Sequence, residues 1–321
     1  MIKNVVFMGT PDFAVGTLRA LIDSDKYHVQ AVFTQPDKPK GRGKAVQMTP
    51  VKELALAAGI PVYQPVKIRE PQWVEVLTQL APDAIVVVAF GQMIPRSILE
   101  LPAWGCINVH ASLLPMYRGA APIQWAVING DRESGVTTMR MDEGLDTGDM
   151  ILKEVVPLAE DETGGSLFDR LSRTGAGLLI RTLDEISAGT ATYEKQPAKS
   201  PTPYAAMLTK KDGAIDWTKS AKEIECLVRG LNPWPSAYTK YRGKMLKIWA
   251  AEVEMQDSDP NQTDHVCAPG CAAVVTKNVL KIRTGSGLLS VKELQPEGKK
   301  RMEVDAFLRG YPVECGECFQ E

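Results

Sequence analysis

Residues 83–110 read DAIVVVAFGQMIPRSILELPAWGCINVH, and their pattern indicates how the N-terminal part folds. The apolar, β-branched run at 83–90 predicts a buried strand, and GCINVH at 105–110 predicts a second one. Between them, IPRSILEL at 94–101 predicts a helix. Continuous apolar strands separated by a helix are typical of a βαβ unit, whose parallel strands are covered by helices on both faces.

The same alternation continues on both sides of this unit. Further strands are predicted at 4–9 (NVVFMG), 28–35 (HVQAVFTQ), 61–64 (PVYQ), 135–141 (GVTTMRM) and 149–158 (DMILKEVVPL). Helical patterns lie between them, as in TPVKELALAAG at 49–59, which ends on a glycine. The N-terminal part is therefore predicted to be an α/β domain with a Rossmann-like, mostly parallel sheet.

A change of composition separates this part from a second domain. The stretch SAGTATYEKQPAKSPTPYAAML at 187–208 is rich in Ser, Thr, Pro and Ala, which is typical of a semi-rigid linker. Beyond one helix at 221–231, short strand patterns alternate with turn residues and indicate a smaller β-barrel. We predict a catalytic domain at 1–203, with the linker from about residue 189, and a C-terminal β-barrel (OB-like) domain at 204–321.

Composition limits the possible classes of protein. The 321 residues carry a formal net charge of −2, which argues against a protein that coats nucleic acid, although a local basic patch remains compatible with it. The start MIKNVVFMG has no signal-peptide pattern, and the longest apolar run, 84–90, is too short to span a bilayer. We expect a cytoplasmic protein with no membrane contact, and therefore reduced cysteines.

Two polar side chains end the strand at 105–110. Asn108 and His110 are two residues apart, so in an extended strand they point the same way. An amide N–H and an imidazolium N–H are both hydrogen-bond donors, and two convergent donors suit a developing oxyanion. The alternative interpretation is a capping Asn and a satisfied core His.

An acidic loop at 140–150, RMDEGLDTGDM, follows a later strand. If one of its carboxylates lies beside His110, it would hold the ring and favour the charged imidazolium. The loop pattern alone does not choose among the carboxylates and is also compatible with a solvated turn. The first strand-to-helix turn, MGTPDFAVG at 8–16, lacks G-x-G-x-x-G, which argues against a dinucleotide site.

The longer segments carry a family resemblance. NVHASLLPMYRGAAPIQWAVINGD at 108–131, together with DEGLDTGDM at 142–150, resembles the folate-dependent formyltransferases. The resemblance implies 10-formyltetrahydrofolate as formyl donor and Asn108, His110 and Asp146 as the catalytic residues. It also implies a folate site, whose residues are Phe90, Gly91, Gln92, Met93, Ser112, Leu113, Leu114 and Pro115.

Three other segments indicate the acceptor. VVFMGTPDFA at 5–14, the insert at 34–55 and LVRGLNPWPSAYT at 227–239 are similar to the branch of the family that formylates methionyl initiator tRNA for translation initiation. The resemblance implies that the insert enters the acceptor stem, through Lys38, Lys40, Arg42 and Lys44. Because Pro and Gly interrupt these cations, we expect neither helix nor strand there, and mobility without substrate. We expect a monomer.

Other functions remain possible from the sequence. One is formyl transfer to a small amine, either an amino-sugar nucleotide or glycinamide ribonucleotide. A second is hydrolysis of the same donor to release formate. A third is a non-catalytic RNA-binding module, which the Asn108, His110 and Asp146 set argues against.

No metal is expected at the reacting centre, since an amine is already a competent nucleophile. The C-terminal part nevertheless holds two close pairs of cysteines, Cys267 with Cys271 and Cys315 with Cys318. Free thiols and a four-cysteine zinc site are the two interpretations of these pairs.

Overall fold

The computed structural model describes residues 2–40, 45–254 and 267–319. The chain divides into two compact units. The first unit contains residues 1–122, 133–157 and 168–205, and the second contains 123–132, 158–167 and 206–321. Within the described ranges, no helix is long and apolar enough to cross a membrane. The predicted domain boundary at 203/204 stays a prediction.

The first unit is built on a seven-stranded sheet in the order β5-β2-β1-β6-β7-β8-β9. Its strands are β1 (Lys3–Gly9), β2 (Tyr27–Phe33), β5 (Val62–Tyr63), β6 (Ala84–Val88), β7 (Cys106–His110), β8 (Glu133–Arg140) and β9 (Asp149–Pro157). The pairs from β5 to β7 are parallel, whereas β8 and β9 are antiparallel. The predicted mostly parallel α/β sheet is therefore confirmed.

Helices connect these strands. They are α1 (Asp12–Ile22), α2 (Pro50–Ala57), α3 (Pro71–Leu80), α4 (Arg96–Leu99), α5 (Pro122–Ile128) and α6 (Gly164–Ala188). The start of α2 shows why the sequence folds this way locally. The Thr49 side chain accepts a hydrogen bond from the Lys52 backbone N–H, and Pro50 occupies the first turn, where no N–H is needed.

Strand β7 lies inside this sheet, between β6 and β8. All five residues of β6 and of β7 are buried, as expected for strands covered on both faces. Val87 of β6 pairs with Asn108, and Thr137 of β8 pairs with His110. The end of β7 is thus held from both sides, and its two polar residues lie at the carboxyl edge of the parallel strands.

The basic insert differs from the prediction. β3 (Lys38–Lys40) and β4 (Ala45–Gln47) form a small antiparallel ladder, although the Pro and Gly content argued against strand. Pro39 pairs with Val46; a separate two-stranded sheet leaves one side of each strand unpaired, so a proline is tolerated there. Arg42 and Lys44 lie outside the described residues.

The second unit contains an antiparallel sheet in the order β10-β11-β14-β13-β12, with β15 paired to β14. Its elements are β10 (Ala237–Tyr241), β11 (Lys244–Glu254), β12 (Ala272–Val275), β13 (Leu280–Arg283), β14 (Leu288–Pro296), β15 (Met302–Glu303), α7 (Ala221–Gly230), α8 (Val304–Gly310) and a 3₁₀ turn at Lys210–Gly213. A β-rich second domain is confirmed, and closure into a barrel stays a prediction. Ser220 and Glu223 form a capping box at the start of α7.

The C-terminal cysteines differ from both interpretations. Cys271 and Cys318 form a disulfide, so the expectation that these two are reduced is wrong. Two backbone hydrogen bonds set the segments around these cysteines side by side: Phe319 N–H donates to Gly270 O (2.7 Å), and Ala272 N–H donates to Glu317 O (2.8 Å). Cys267 and Cys315 are free thiols.

The interpretation as a four-cysteine zinc site is also wrong. Zinc binds thiolate sulfur, and two of the four cysteines are joined in the disulfide. Among the described residues, no group of three or more His, Cys, Asp or Glu side chains is arranged to hold a metal ion. Phe319, beside the disulfide, is fully buried in the core of the second unit. The segment from Cys318 to Phe319 therefore belongs to the packed fold.

Candidate active site

The structure brings Asn108, His110 and Asp146 together at the end of β7. Asn108 and His110 are 8% and 7% exposed, and Asp146 Oδ1 lies 3.7 Å from His110 Nδ1. This distance is longer than a hydrogen bond but within range of strong attraction between a carboxylate and an imidazolium. Asn108 lies two residues before His110 on the same strand, so the three polar residues lie at one largely buried strand end.

The geometry also separates Asp146 from the nearby Asp142. The Asp142 carboxylate accepts hydrogen bonds from the Gly144 N–H (3.0 Å) and the Thr147 hydroxyl (2.7 Å), so it closes its own loop. Asp146 instead faces His110. The choice that the residue pattern alone left open is resolved by which carboxylate reaches the strand end.

His110 has a second partner on its other ring nitrogen. Nε2 lies 3.1 Å from the backbone oxygen of Tyr117. Since a carbonyl oxygen only accepts, Nε2 carries the hydrogen in this arrangement. Nδ1 then faces the Asp146 carboxylate, so each ring nitrogen of His110 has an oxygen beside it.

The turn after β7 is shaped by internal hydrogen bonds. Thr137 Oγ1 donates to Ser112 O (2.7 Å) and accepts from the Leu114 N–H (3.0 Å). Ser112 Oγ donates to Met116 O at 2.6 Å, and the Leu114–Pro115 peptide bond is cis. These bonds fold the segment back toward the strand end.

Gly119, which follows Arg118 after this turn, contacts the Asp146 carboxylate. Its backbone N–H donates to Asp146 Oδ2 at 2.8 Å, and its φ is +125°, a region that favours glycine. A Cβ here would lie 2.7 Å from both the Ala205 oxygen and the Tyr204 ring. Only glycine allows the backbone to approach the carboxylate this closely.

Residues 196–205, which lie in the stretch predicted to be a linker, contact the turn after β7 and the acidic loop. Thr202 Oγ1 accepts from the Tyr117 N–H (2.7 Å), and Ser200 Oγ donates to Pro115 O (2.9 Å). Gln196 donates to the backbone of the acidic loop, and Ala205 pairs with Arg118 and Ala120. Sequence reasoning missed this role, because Ser, Thr and Pro give the same signal in a free linker and in a bound loop.

Burial divides the candidate folate residues into two groups. Phe90, Ser112 and Leu114 are at most 2% exposed, so they lie below the surface that a ligand would contact. Met93 and Gly91 are exposed, and Leu113, Pro115 and Gln92 are half-buried. The second group is what a bound ligand can reach.

The loop at Phe90 is held by its neighbours at the sheet edge. Gln35 Nε2 donates to the oxygens of Phe90 (3.3 Å) and Gly91 (3.1 Å), and Thr10 Oγ1 donates to Phe90 O at 3.1 Å. Residues of these three loops, with Lys38, line a cavity of about 650 Å³, a volume usual for small-ligand sites. The carboxyl edge of the sheet thus carries both the polar cluster and an open cavity.

Tyr204 adds a titratable group to the site. Burial, and next the negative charge of Asp146, raise the pKa of the Tyr204 hydroxyl above its usual value. Its ring covers Gly119.

Of the predicted tRNA contacts, Lys38 is exposed and Lys40 lies in β3.

Family models match both parts of the chain. The model described as "Formyl transferase" matches residues 3–183, and "Formyl transferase, C-terminal domain" matches residues 207–312. The chain belongs to the formyl transferase family. The resemblance in the segments at 108–131 and 142–150 is thereby confirmed.

Relatives within the formyl transferase family align along almost the whole chain. A protein of Agathobacter rectalis named methionyl-tRNA formyltransferase is 58% identical over 316 residues, covering 98% of this chain and 99% of its own. A protein of Lachnospira eligens with the same name is 57% identical over 313 residues, covering 98% of each chain.

Solved structures share the fold at much lower identity. An N-formyltransferase from Helicobacter canadensis, in complex with folinic acid and dTDP-3-aminofucose, has a TM-score of 0.65 at 19% identity and covers 92% of this chain and 100% of its own. HypX from Aquifex aeolicus has a TM-score of 0.62 at 16% identity and covers 98% of this chain and 49% of its own. At these identities the likeness concerns the fold alone.

Proposed function

We propose that this protein transfers the formyl group of 10-formyltetrahydrofolate to the α-amino group of methionyl initiator tRNA, giving N-formylmethionyl-tRNA for translation initiation. The observation that carries the proposal is the 58% identity to a methionyl-tRNA formyltransferase over nearly the full length of both chains. The cluster of Asn108, His110 and Asp146 supports it, because its donors and carboxylate suit acyl transfer to an amine.

The chemistry assigns a role to each side chain. The amine nitrogen bonds to the formyl carbon, and the carbonyl oxygen becomes an oxyanion. The Asn108 amide stabilises this oxyanion by donating a hydrogen bond, and protonated His110 stabilises it by its positive charge. Asp146 orients His110 and helps to remove the proton of the attacking amine through a water molecule. The bond from the formyl carbon to N10 of the folate then breaks as N10 takes a proton.

Positioning supplies a large part of the acceleration. Two substrates held in the correct geometry avoid an entropy loss worth several kcal/mol, about 7–11 kcal/mol in the best intramolecular cases. The buried bonds of Thr137 and Ser112 within the turn after β7 provide a rigid frame for that geometry.

The residues at the sheet edge fit a folate. A flat heterocycle with several polar edges is recognised by backbone groups and apolar surfaces. The exposed Met93 and half-buried Leu113 offer the apolar surface, and the backbone of Phe90–Gln92 offers the polar groups. Phe90, Ser112 and Leu114 are buried and contribute by supporting this surface.

Contacts to the tRNA are assigned to cations on both units. Lys38, Lys40, Arg42 and Lys44 would meet phosphates of the acceptor stem. In the second unit, the charged groups of Lys247 and Arg301 lie 5.5 Å and 5.1 Å from the centre of the Trp249 ring, a cationic and aromatic cluster of the kind that binds RNA. A cytoplasmic location and a monomeric state are part of this proposal.

An acceptor panel tests the proposal. The purified protein is given 10-formyltetrahydrofolate with methionyl initiator tRNA, uncharged initiator tRNA, an amino-sugar nucleotide or glycinamide ribonucleotide, and formylated products are identified by mass spectrometry. We expect a formyl group only on the methionine amine. Formylation of a small amine in place of methionyl-tRNA, or release of free formate, would overturn the assignment.

A further inference from the structure

Gln196 uses its whole carboxamide on the loops of the candidate active site. Nε2 donates to Asp146 O at 3.0 Å and to Gly148 O at 2.7 Å. Oε1 accepts from Arg118 Nε at 3.0 Å. One side chain therefore joins the loop that carries Asp146 to the turn that carries Gly119.

These contacts close a ring. Gly119 is adjacent to Arg118, and its N–H donates to Asp146 Oδ2 at 2.8 Å. The Asp146 loop is thus held through its backbone by Gln196 and through its carboxylate by Gly119. A loop held at two points has little freedom to move its carboxylate relative to His110.

Arg118 is the third member of this arrangement, and it is only 7% exposed. Besides Gln196, its guanidinium donates to Pro197 O (2.8 Å) and Ala198 O (3.5 Å). A buried cation is tolerated only when its N–H groups have acceptors. These acceptors all lie on residues 196–198, so Arg118 fixes this segment in place and the segment presents Gln196 to the loop.

The backbone of Asp146 shows why such support is needed. Its φ is +53°, in the left-handed region that few residues other than glycine, Asn and Asp adopt. Such a conformation persists when surrounding contacts over-determine it. Gln196 binds the carbonyl of Asp146 itself and that of Gly148, so it fixes the loop at the residue with this φ and again two residues later.

We propose that Gln196 is a positioning residue that holds Asp146 in its strained conformation, with the carboxylate facing His110. This inference rests on the proposed formyl transfer and gives the segment at 196–198 a role in it. Gln196 acts through Asp146 and does not touch the reacting atoms. Its loss lowers the rate of the chemical step and leaves the binding of both substrates unchanged.

The test is a double-mutant cycle of Gln196→Ala and Asp146→Asn, measured as kcat and KM for both substrates. We expect Gln196→Ala to lower kcat by about 10- to 100-fold with each KM within about twofold, since small misplacements have effects of this size. In the Asp146→Asn background the same change should lower kcat by less than about twofold, because residues acting as a unit are non-additive.

Two further variants keep the test decisive. Gln196→Glu keeps the acceptor for Arg118 but places an oxygen against the two carbonyl oxygens, which repel it. It should therefore lower kcat, and it replaces the alanine variant in the test if that variant does not fold. Gln72→Ala removes an exposed glutamine that binds only Glu70 among the described contacts, and it should match the parent.

The outcomes separate the two proposals. If the parent does not formylate methionyl-tRNA, the proposed function fails. If the parent is active and Gln196→Glu keeps its kcat, or if the losses from Gln196 and Asp146 multiply, the positioning role is refuted while the function stands.

Discussion

Gly119→Ala tests the geometry of the candidate active site through one methyl group. The added Cβ would lie 2.7 Å from Ala205 O and 2.7 Å from the Tyr204 ring, closer than packed atoms allow. In addition, a φ of +125° strains alanine by about 1–3 kcal/mol. Because Ala205 O belongs to backbone, the backbone at residue 119 must shift.

The shift moves the Gly119 N–H away from Asp146 Oδ2, which it now contacts at 2.8 Å. A hydrogen bond to a charged group contributes about 1.5–3 kcal/mol. If this bond holds the carboxylate for catalysis, kcat should fall by about 10- to 150-fold. The change in KM for either substrate should be small by comparison.

The assay is steady-state formyl transfer to methionyl initiator tRNA, with thermal unfolding of each variant measured by circular dichroism. Gly189→Ala is the matched control, because Gly189 also has a positive φ (+70°) but no atom within 4 Å of a built Cβ. It should lose some stability and no activity. A folded Gly119→Ala protein whose kcat stays within about twofold of the parent would refute the reasoning.

Three further predictions address other parts of the chain. Arg42→Ala and Arg42→Lys should both raise KM for methionyl-tRNA and leave folate affinity unchanged, because Lys lacks the planar fork of donors. Parental tRNA affinity in filter binding, together with a parental KM in kinetic assays, would exclude this contact. Cys271→Ser should lower the free energy of unfolding by about 4 kcal/mol in the chain-entropy model for cysteines 47 residues apart, measured by urea titration under non-reducing conditions; equal stability of the variant and the oxidised parent would argue against the disulfide. The hydrogen bond from Lys52 holds the pKa of Asp37 below its usual value; the stabilisation is therefore present above about pH 4, near the unfolded-state pKa, and is lost as the pH falls through the folded-state pKa. Asp37→Asn should then lower the melting temperature at neutral pH but not at low pH, and a constant difference across that range would contradict the reasoning.

The sheet and the end of β7 were predictable because their signals are local. Apolar runs interrupted by helical patterns identified the strands on either side of residues 91–104, and spacing of two along a strand placed Asn108 and His110 on the same side. The family resemblance selected Asp146, and the structure shows the physical basis of that choice in its 3.7 Å approach to His110.

Other features depend on contacts that composition does not reveal. Gln196 lies among Ser, Thr and Pro residues. Its proposed role depends on hydrogen bonds to two carbonyls about 50 positions away along the chain. The 25-residue helix α6 was not predicted, because its pattern mixes glycines with apolar residues. The Cys271–Cys318 disulfide depends on how the tail returns to β12, which no spacing of cysteines determines.

The catalytic role of Asn108 and His110 is tested by the single-turnover rate of formyl transfer. The rate is measured for the parent, Asn108→Ala and His110→Ala, with 10-formyltetrahydrofolate and methionyl initiator tRNA both saturating. Asn108 and His110 lie on the same strand at the strand end that Asp146 faces. Removing one oxyanion donor should lower the rate by about 10²- to 10³-fold, equivalent to about 2.7–4 kcal/mol. Binding of both substrates should persist in each variant. A rate in Asn108→Ala or His110→Ala within about twofold of the parent would contradict the central claim that this cluster catalyses the transfer.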